Sequence, residues 1–299
     1  MLHHGRTGKH ANRSKAVTCF IVILLAVFGL FSVLPLVMTV SQAFKPTSEL
    51  YLYPPRFFVQ NPTIGNFKML FDLMNSSWVP FTRYAFNTIL ISVCGTVLNI
   101  VVCSMAAFPL AKSKAPFMGA LFGLVTAALM FTPLVGDIVN YLTMSALGWI
   151  DSYLALIIPA AATSLGLFLM RQFMVQIPED LLNAARIDGT SEYGILFRIV
   201  VPNVKPAWLT LAIFSFQSLW SISSSPYIYR EELKTLPYAL SQVVAGGIAR
   251  AGAGAAVGVV IMIVPILFFI LSQSQIMETM TASGICLLYT SDAADDLIG

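Results

Sequence analysis

Residues 86–111 read FNTILISVCGTVLNIVVCSMAAFPLA, without a single Asp, Glu, Lys, Arg or His. As a helix rising 1.5 Å per residue, such a run is longer than the ~30 Å of hydrocarbon in a bilayer. It is not apolar all round. Thr88, Ser92, Gly95, Thr96, Asn99 and Cys103 recur along one helical face, so that face is small and polar while the others are aliphatic and aromatic. In lipid a polar face of this kind either bonds neighbouring helices or lines a hydrated path, and the sequence leaves both readings open.

Working outward, five more uncharged apolar runs occupy 17–40, 115–136, 152–170, 207–225 and 252–276. The pattern predicts an all-α integral membrane protein, a six-transmembrane-helix bundle. Composition agrees. The chain of 299 residues is 57% hydrophobic and 10% charged with mean hydropathy +0.80, against about 25% charged in a soluble domain. A net charge of +3, with no basic stripe interleaved with aromatics, excludes nucleic acid as a partner and leaves the lipid bilayer as the first one. The first run follows Arg6, Lys9, Arg13 and Lys15 but has no small-x-small cleavage site, so it is expected to stay as a helix. With both termini inside, ten of the 17 Lys and Arg fall in cytoplasmic segments, at roughly twice their density outside, which predicts cytoplasmic N- and C-termini. Gly119 with Gly123, and Gly254 with Gly258, have the spacing of close helix packing. The fifth run carries Ser215, Ser218, Ser221 and Ser225 along a face that, with Asn99, is a candidate pathway lining.

What the runs lack narrows the function. No Asp, Glu, Lys, Arg or His lies inside them; Asp137 and Asp151 stand at ends or in a loop. Carriers driven by protons or sodium usually bind the coupling ion on such a group, so a secondary carrier becomes the alternative and not the first reading. No G-x-x-x-x-G-K-[ST] phosphate loop is present, since Gly8-Lys9 is followed by His10; if ATP drives transport, another chain hydrolyses it. His3, His4 and His10 are the only histidines and the four cysteines form no CxxC pair, so no metal site and no catalytic residues are expected, and an intramembrane enzyme has no nucleophile and base to work with.

One connecting segment carries chemistry of another kind, 171–206, RQFMVQIPEDLLNAARIDGTSEYGILFRIVVPNVKP. It reads as two short helices with a hinge. Pro178 suits a helix start, and Glu179 and Asp180 complement the positive end of the dipole. Leu181, Leu182, Ala184 and Ala185 give an apolar face on which another surface can approach closely. Asp188-Gly189 stops the helix, Gly supplying a positive φ. Thr190 or Ser191 caps the next one, whose apolar positions Ile195, Leu196, Ile199 and Val200 recur until Pro202 ends it. An amphipathic hairpin folded on its own bundle and a dock for a cytoplasmic partner both fit this pattern.

The run Asn183-Ala184-Ala185, Asp188-Gly189, Phe197, Pro202 and Pro206 resembles the E-A-A … D-G signature of permease subunits of binding-protein-dependent ABC importers, carbohydrate branch, similar to the maltose-type inner-membrane permeases. Arg83 to Thr88, Ala106 to Lys112, and Ser283-Gly284-Ile285 resemble further marks of that family, so the likeness covers 1–285 as one permease domain. The resemblance implies a bacterial cell-membrane subunit that forms the pathway for a sugar or oligosaccharide. Its implied partners are a second permease subunit as a heterodimer, two ATP-binding subunits that hold ATP-Mg, and an extracytoplasmic solute-binding protein. This chain needs no cofactor. Glu179, Asn183, Ala184, Ala185, Asp188, Gly189, Pro202 and Pro206 are the implied ATPase-coupling residues of the loop 171–206, and a charge at Ala185 is expected to abolish transport without harming membrane insertion. An importer of this type for a non-sugar solute is the neighbouring alternative. Two features depart from the family: Asn183 stands where Glu is usual, and 286–299, CLLYTSDAADDLIG, runs past the usual end and reads as a non-native tail. The aromatics Tyr51, Tyr53, Phe57, Phe58, Phe67, Tyr227, Tyr229 and Tyr238 in the outer loops serve as interfacial anchors or as contacts for the binding protein or a sugar.

Overall fold

The computed structural model describes residues 15–295 apart from 55, 76–77, 131–133 and 224; the basic cluster before Lys15 lies outside the described residues. Among the described residues there are helices and loops and no strand. The helices are α1 Lys15–Phe44, α2 Gly65–Asn75, α3 Phe81–Lys112, α4 Met118–Ala128, α5 Leu134–Ala146, α6 Leu154–Ala161, α7 Ser164–Val175, α8 Glu179–Ile187, α9 Glu192–Asn203, α10 Lys205–Trp220, α11 Leu236–Ala245 and α12 Ala251–Asp295. They form two compact units, one gathering the chain up to Leu70 with 248–259, the other 71–247 with 260–299.

The smaller unit holds α1, whose aliphatic and aromatic side chains from Val17 to Val37 are almost all exposed, as expected for a helix bathed in lipid. Beyond it the chain is tied to itself by polar groups. The Asn66 amide donates to the carbonyls of Ala43 (2.9 Å) and Lys45 (2.7 Å), and the Glu49 carboxylate accepts from the backbone of Gln60 and Asn61. Gly258 meets α1 closely, since a Cβ there would stand 2.9 Å from the Thr39 methyl.

In the larger unit α3 is the axis, packed along α6, α7 and α10. Its burial inverts the soluble pattern. Asn87, Thr88, Ser92, Thr96, Asn99 and Ser104 are buried, whereas Phe86, Ile89, Val93, Val97 and Met105 are exposed. The polar face read from the sequence is therefore the packing face, and Gly95 lets α10 close in: a Cβ on it would lie 2.5 Å from Leu219 Cδ1. Gly119 and Gly123 differ from expectation. Nothing lies within 4 Å of a Cβ at either, so among the described residues their small face packs on no other element.

Four segments are long and apolar enough to cross a membrane: Val17–Phe44, Phe81–Lys112, Leu154–Val175 and Ala251–Gln273. The pair α9 and α10 is bent by 83°, and the two make a fifth only if counted together as one broken span. The expected third crossing, 115–136, is not one continuous helix, because α4 ends at Ala128 and α5 begins at Leu134. The expected fifth, 207–225, stops at Trp220: the Ser221 hydroxyl donates back to Gln217 O and Pro226 follows. The last helix continues as backbone to Asp295, across the boundary at 285 and 286.

Candidate functional site

The segment 171–206 is assembled from the helix ends upward. Pro178 stands in extended backbone before α8, and Glu179 and Asp180 fill its first turn. At the other end Gly189 takes φ +79°, while the Thr190 amide donates to Ala185 O (3.0 Å) and the Gly189 amide to Arg186 O (3.0 Å). This pair of bonds satisfies the last carbonyls of α8 and turns the chain sharply. Ser191, not Thr190, caps α9, its hydroxyl accepting from the Gly194 amide at 3.2 Å. Arg186 then clips the two helices together, donating to Glu192 at 2.8 Å and to Asn183 Oδ1 at 3.0 Å. The pair of Lys114 and Glu179 at 3.6 Å is exposed on both sides and adds little.

Within α9 the residues Leu196–Val200 form a π-turn, the Val201 amide reaching back five residues to Leu196 O. Pro202 explains it, because proline has no N–H for the carbonyl four residues earlier and its ring would crowd the regular turn. The helix thus absorbs Pro202 and runs on to Asn203 instead of ending at it; the break falls at Val204, and Pro206 sits in the first turn of α10. Pro202 is exposed and Pro206 buried.

The lobe is bolted to the bundle. Leu182 and Ala185 of α8 pack with Ile195, Leu196 and Val200 of α9 and with Met170, Met174 and Ile177 at the end of α7. Lys112 Nζ donates to the carbonyls of Ile177 (2.5 Å) and Val175 (3.1 Å), and Arg171 donates to Leu110 O (3.0 Å) with its guanidinium 3.7 Å from the Phe122 ring centroid. The apolar face expected on α8 is split by this packing. Ala185, 8% exposed, is part of the core and not open to a partner, whereas Leu181, Ala184 and Ile187 are exposed, Ile187 to 86%. Tyr193 and Phe197 of α9 are exposed too. Glu179, Asn183, Asp188 and Gly189 are exposed as well, so α8 and α9 carry an outward shelf of apolar and polar side chains, a candidate contact surface.

A second site lies at mid-membrane. The span Leu154–Val175 is broken between α6 and α7, where Ala162 adopts φ −122° and ψ 88°. Pro159 already interrupts the hydrogen bonding of α6, and Thr163 restarts the chain by capping α7, its hydroxyl accepting from the Gly166 amide at 3.2 Å. A break inside lipid leaves carbonyls that water cannot reach, so the protein must satisfy them. Asn99 does so, fully buried: its amide donates to Ala160 O (2.5 Å) and Thr163 Oγ1 (3.1 Å), and its Oδ1 accepts from Ser215 Oγ (3.1 Å). Asn99 is thus a tie between three helices, standing behind the wall and not on it. Ser215 and Ser218 border a cavity of about 220 Å³ with Thr163 and Phe214, while Ser221 is the residue that ends α10, donating its hydroxyl to Gln217 O. Thr163 and Phe214 were missed from the sequence; Pro159 in an apolar run was the available signal.

At the far end of α3 a third cluster fixes the loops. Asn87 donates to the carbonyls of Glu232 (2.8 Å) and Lys234 (2.9 Å) and accepts from the Tyr153 hydroxyl (2.8 Å). Asp151, at φ 59°, accepts from the amides of Tyr229 (2.6 Å) and Arg230 (2.9 Å). Those amide bonds, Arg230's first, hold its carboxyl below the usual range.

A polar seam inside a bundle of long apolar helices, joined to a two-helix lobe with exposed apolar side chains, defines the class as a multi-pass membrane protein. The model of the family described as binding-protein-dependent transport system inner membrane component matches residues 7–281, and the chain belongs to that family, a transport subunit. Residues 286–299 lie beyond the match. Among similar chains, the sulfoquinovosyl glycerol transport system permease protein SmoH of Agrobacterium fabrum is 30% identical over 88% of this chain and 90% of its own. The arabinooligosaccharides transport system permease protein AraQ of Bacillus subtilis is 30% identical over 76% and 80%. The fold is that of a chain in the crystal structure of a bacterial ABC transporter involved in the import of the acidic polysaccharide alginate, with a TM-score of 0.73 at 20% identity over 90% of this chain and 99% of that one.

Proposed function

We propose that this chain is a pathway-forming permease of an ATP-driven importer for sugars or oligosaccharides, working beside a second permease, with ATP-Mg held and hydrolysed on two separate subunits and solute delivered by an extracytoplasmic binding protein. The observation that carries the reading is the shelf on α8 and α9: Leu181, Ala184, Ile187, Tyr193 and Phe197 are exposed, yet the helices beneath them are fixed to α3, α7 and α10 through Leu182, Ala185, Ile195 and Val200. A force applied to such a shelf moves the membrane helices and does not merely bend a loop. Asn183, Ala184, Asp188 and Gly189 of the sequence signature are exposed on this shelf while Ala185 packs beneath it, and the names of the relatives supply the carbohydrate class. Both termini are cytoplasmic in this reading, and a third crossing passes through α4 and α5. Asn183 donates nothing ionic to a partner; instead it accepts from Arg186.

The test is recovery of the full-length, affinity-tagged chain from its own cells in detergent, with mass spectrometry of what accompanies it. Expected are an ATPase with a phosphate loop, a second permease and a solute-binding protein. Recovery of the chain alone, with uptake that follows a membrane gradient and ignores ATP, overturns the reading.

A further inference from the structure

We propose that Trp220 is a positioning residue for transport, the clip through which α10 carries α12 with it; the role rests on the importer reading, whereas the clip rests on geometry alone. Pro265 stands inside α12. Having no N–H, it cannot donate to the carbonyl of Ile261, four residues earlier, and its ring crowds that carbonyl. In lipid a carbonyl freed in this way needs a donor from a neighbouring helix. The Trp220 indole supplies it, Nε1 donating to Ile261 O at 3.1 Å. Both residues belong to the larger unit.

Stacked rings fix the same join. Trp220, 4% exposed, stacks on Phe216 with centroids 5.8 Å apart, and Phe216 stacks on Phe268 of α12 at 4.3 Å. The indole is thus held by its flat body and by its N–H, and only the N–H answers the proline. Beside the rings the two helices do not close up. An apolar cavity of about 210 Å³ opens between Phe216 and Gln217 of α10 and Pro265 and Phe269 of α12. A helix that lacks the bond at its proline turns about that point unless something outside holds it, and here the holder is a side chain of α10 with open space next to it. The other end of α10 belongs to the lobe, since Val204, Ala207 and Leu211 share one core with Leu182, Ile195 and Val200. A displacement of the shelf enters α10 at Val204 and leaves it at Trp220.

The experiment has two parts. Trp220→Phe deletes the N–H and keeps a ring, and Pro265→Ala gives Ile261 O its own backbone donor. Thermal unfolding of the parent, both single variants and the double variant reads the clip as a cycle. Trp220→Phe is expected to lower the midpoint by several degrees beside Pro265 and to leave it unchanged beside Pro265→Ala; an equal loss in both backgrounds, or none in either, overturns the pairing. Should Trp220→Phe fail to accumulate, restored membrane content in the double variant supports the pairing and no restoration overturns it. The second part uses the chain with its co-purifying partners, its four cysteines replaced by alanine and nitroxide labels on Val97→Cys of α3 and Leu271→Cys of α12, both exposed positions. Addition of ATP-Mg with vanadate should shift the distance between the labels in the parent and shift it by less than half as much in Trp220→Phe. An equal shift in both, or none in the parent, overturns the carrying of α12. Failure of the parent to bring down any ATPase counts against the importer reading itself and leaves the unfolding cycle to decide the clip.

Discussion

The side-chain amide of Asn99 donates to the carbonyl oxygen of Ala160 at 2.5 Å, closing the gap that the break between α6 and α7 opens in the middle of the span. Without it that carbonyl, Thr163 Oγ1 and Ser215 Oγ all lose a protein partner at the break. Asn99→Leu is therefore expected to cost about 1–3 kcal/mol and to lower the unfolding temperature in detergent by several degrees. Thermal unfolding of the purified chain checks this; an unchanged midpoint would show that the break needs no tie.

Gly189 is a second dependence, this time on backbone geometry. Its φ of +79° costs a residue with a Cβ about 1–2 kcal/mol. Proline fails twice, since it fixes φ near −65° and has no N–H for Arg186 O. Gly189→Pro should abolish uptake with membrane content kept, Gly189→Ala should weaken it, and Gly189→Asn, which tolerates the left-handed region, should do least damage. Uptake assays normalised to membrane content rank the three, and equal uptake in all would remove the turn from the mechanism.

The sequence showed the membrane class, the α8 turn and the buried face of α3 because each rests on local rules: charge-free length, Gly at a helix end, and small or polar residues at helical spacing. It did not show which side of α8 points inward. Leu181 and Leu182 are equally apolar, and only the packing of Met170, Met174 and Ile177 selects Leu182. Nor did it show the break at Ala162, where Pro159 weakens α6 but the stop depends on Asn99 arriving from a helix more than sixty residues away. Ser215, Ser218, Ser221 and Ser225 looked like one stripe; the helix ends at Trp220, so the last two lie beyond it.

Asp151 joins its own loop to Tyr229 and Arg230 through two backbone amides, and its pH response has a definite sign. The amides hold the carboxyl below its ordinary value, so the latch contributes fully above the unfolded value of about 3.9 and is lost as pH falls through the lowered folded one. Hydrogen exchange of the peptide covering 227–230, corrected for intrinsic rates, should show constant protection from pH 8 to 5 and a loss in strong acid. Asp151→Ala should lack that protection at every pH. Protection that survives the substitution would mean the loop is held elsewhere.

Ala184 and Ala185 are neighbours in sequence with opposite surroundings, and they separate docking from folding. Ala185 is packed in the core under α8, so Ala185→Glu buries a carboxylate among Leu182, Ile195 and Val200 and should lower the amount of folded chain in the membrane. Ala184 faces outward on the shelf, where a glutamate stays solvated and the fold has no reason to change. Ala184→Glu should therefore keep membrane content and the unfolding temperature while reducing co-purification of the ATPase subunits and uptake, each by tenfold or more. The decisive comparison is the ratio of ATPase recovered to permease recovered in the two variants. A normal ratio in Ala184→Glu would mean that the shelf is not where the partner sits, even if Ala185→Glu fails to transport, because that failure follows from the core alone.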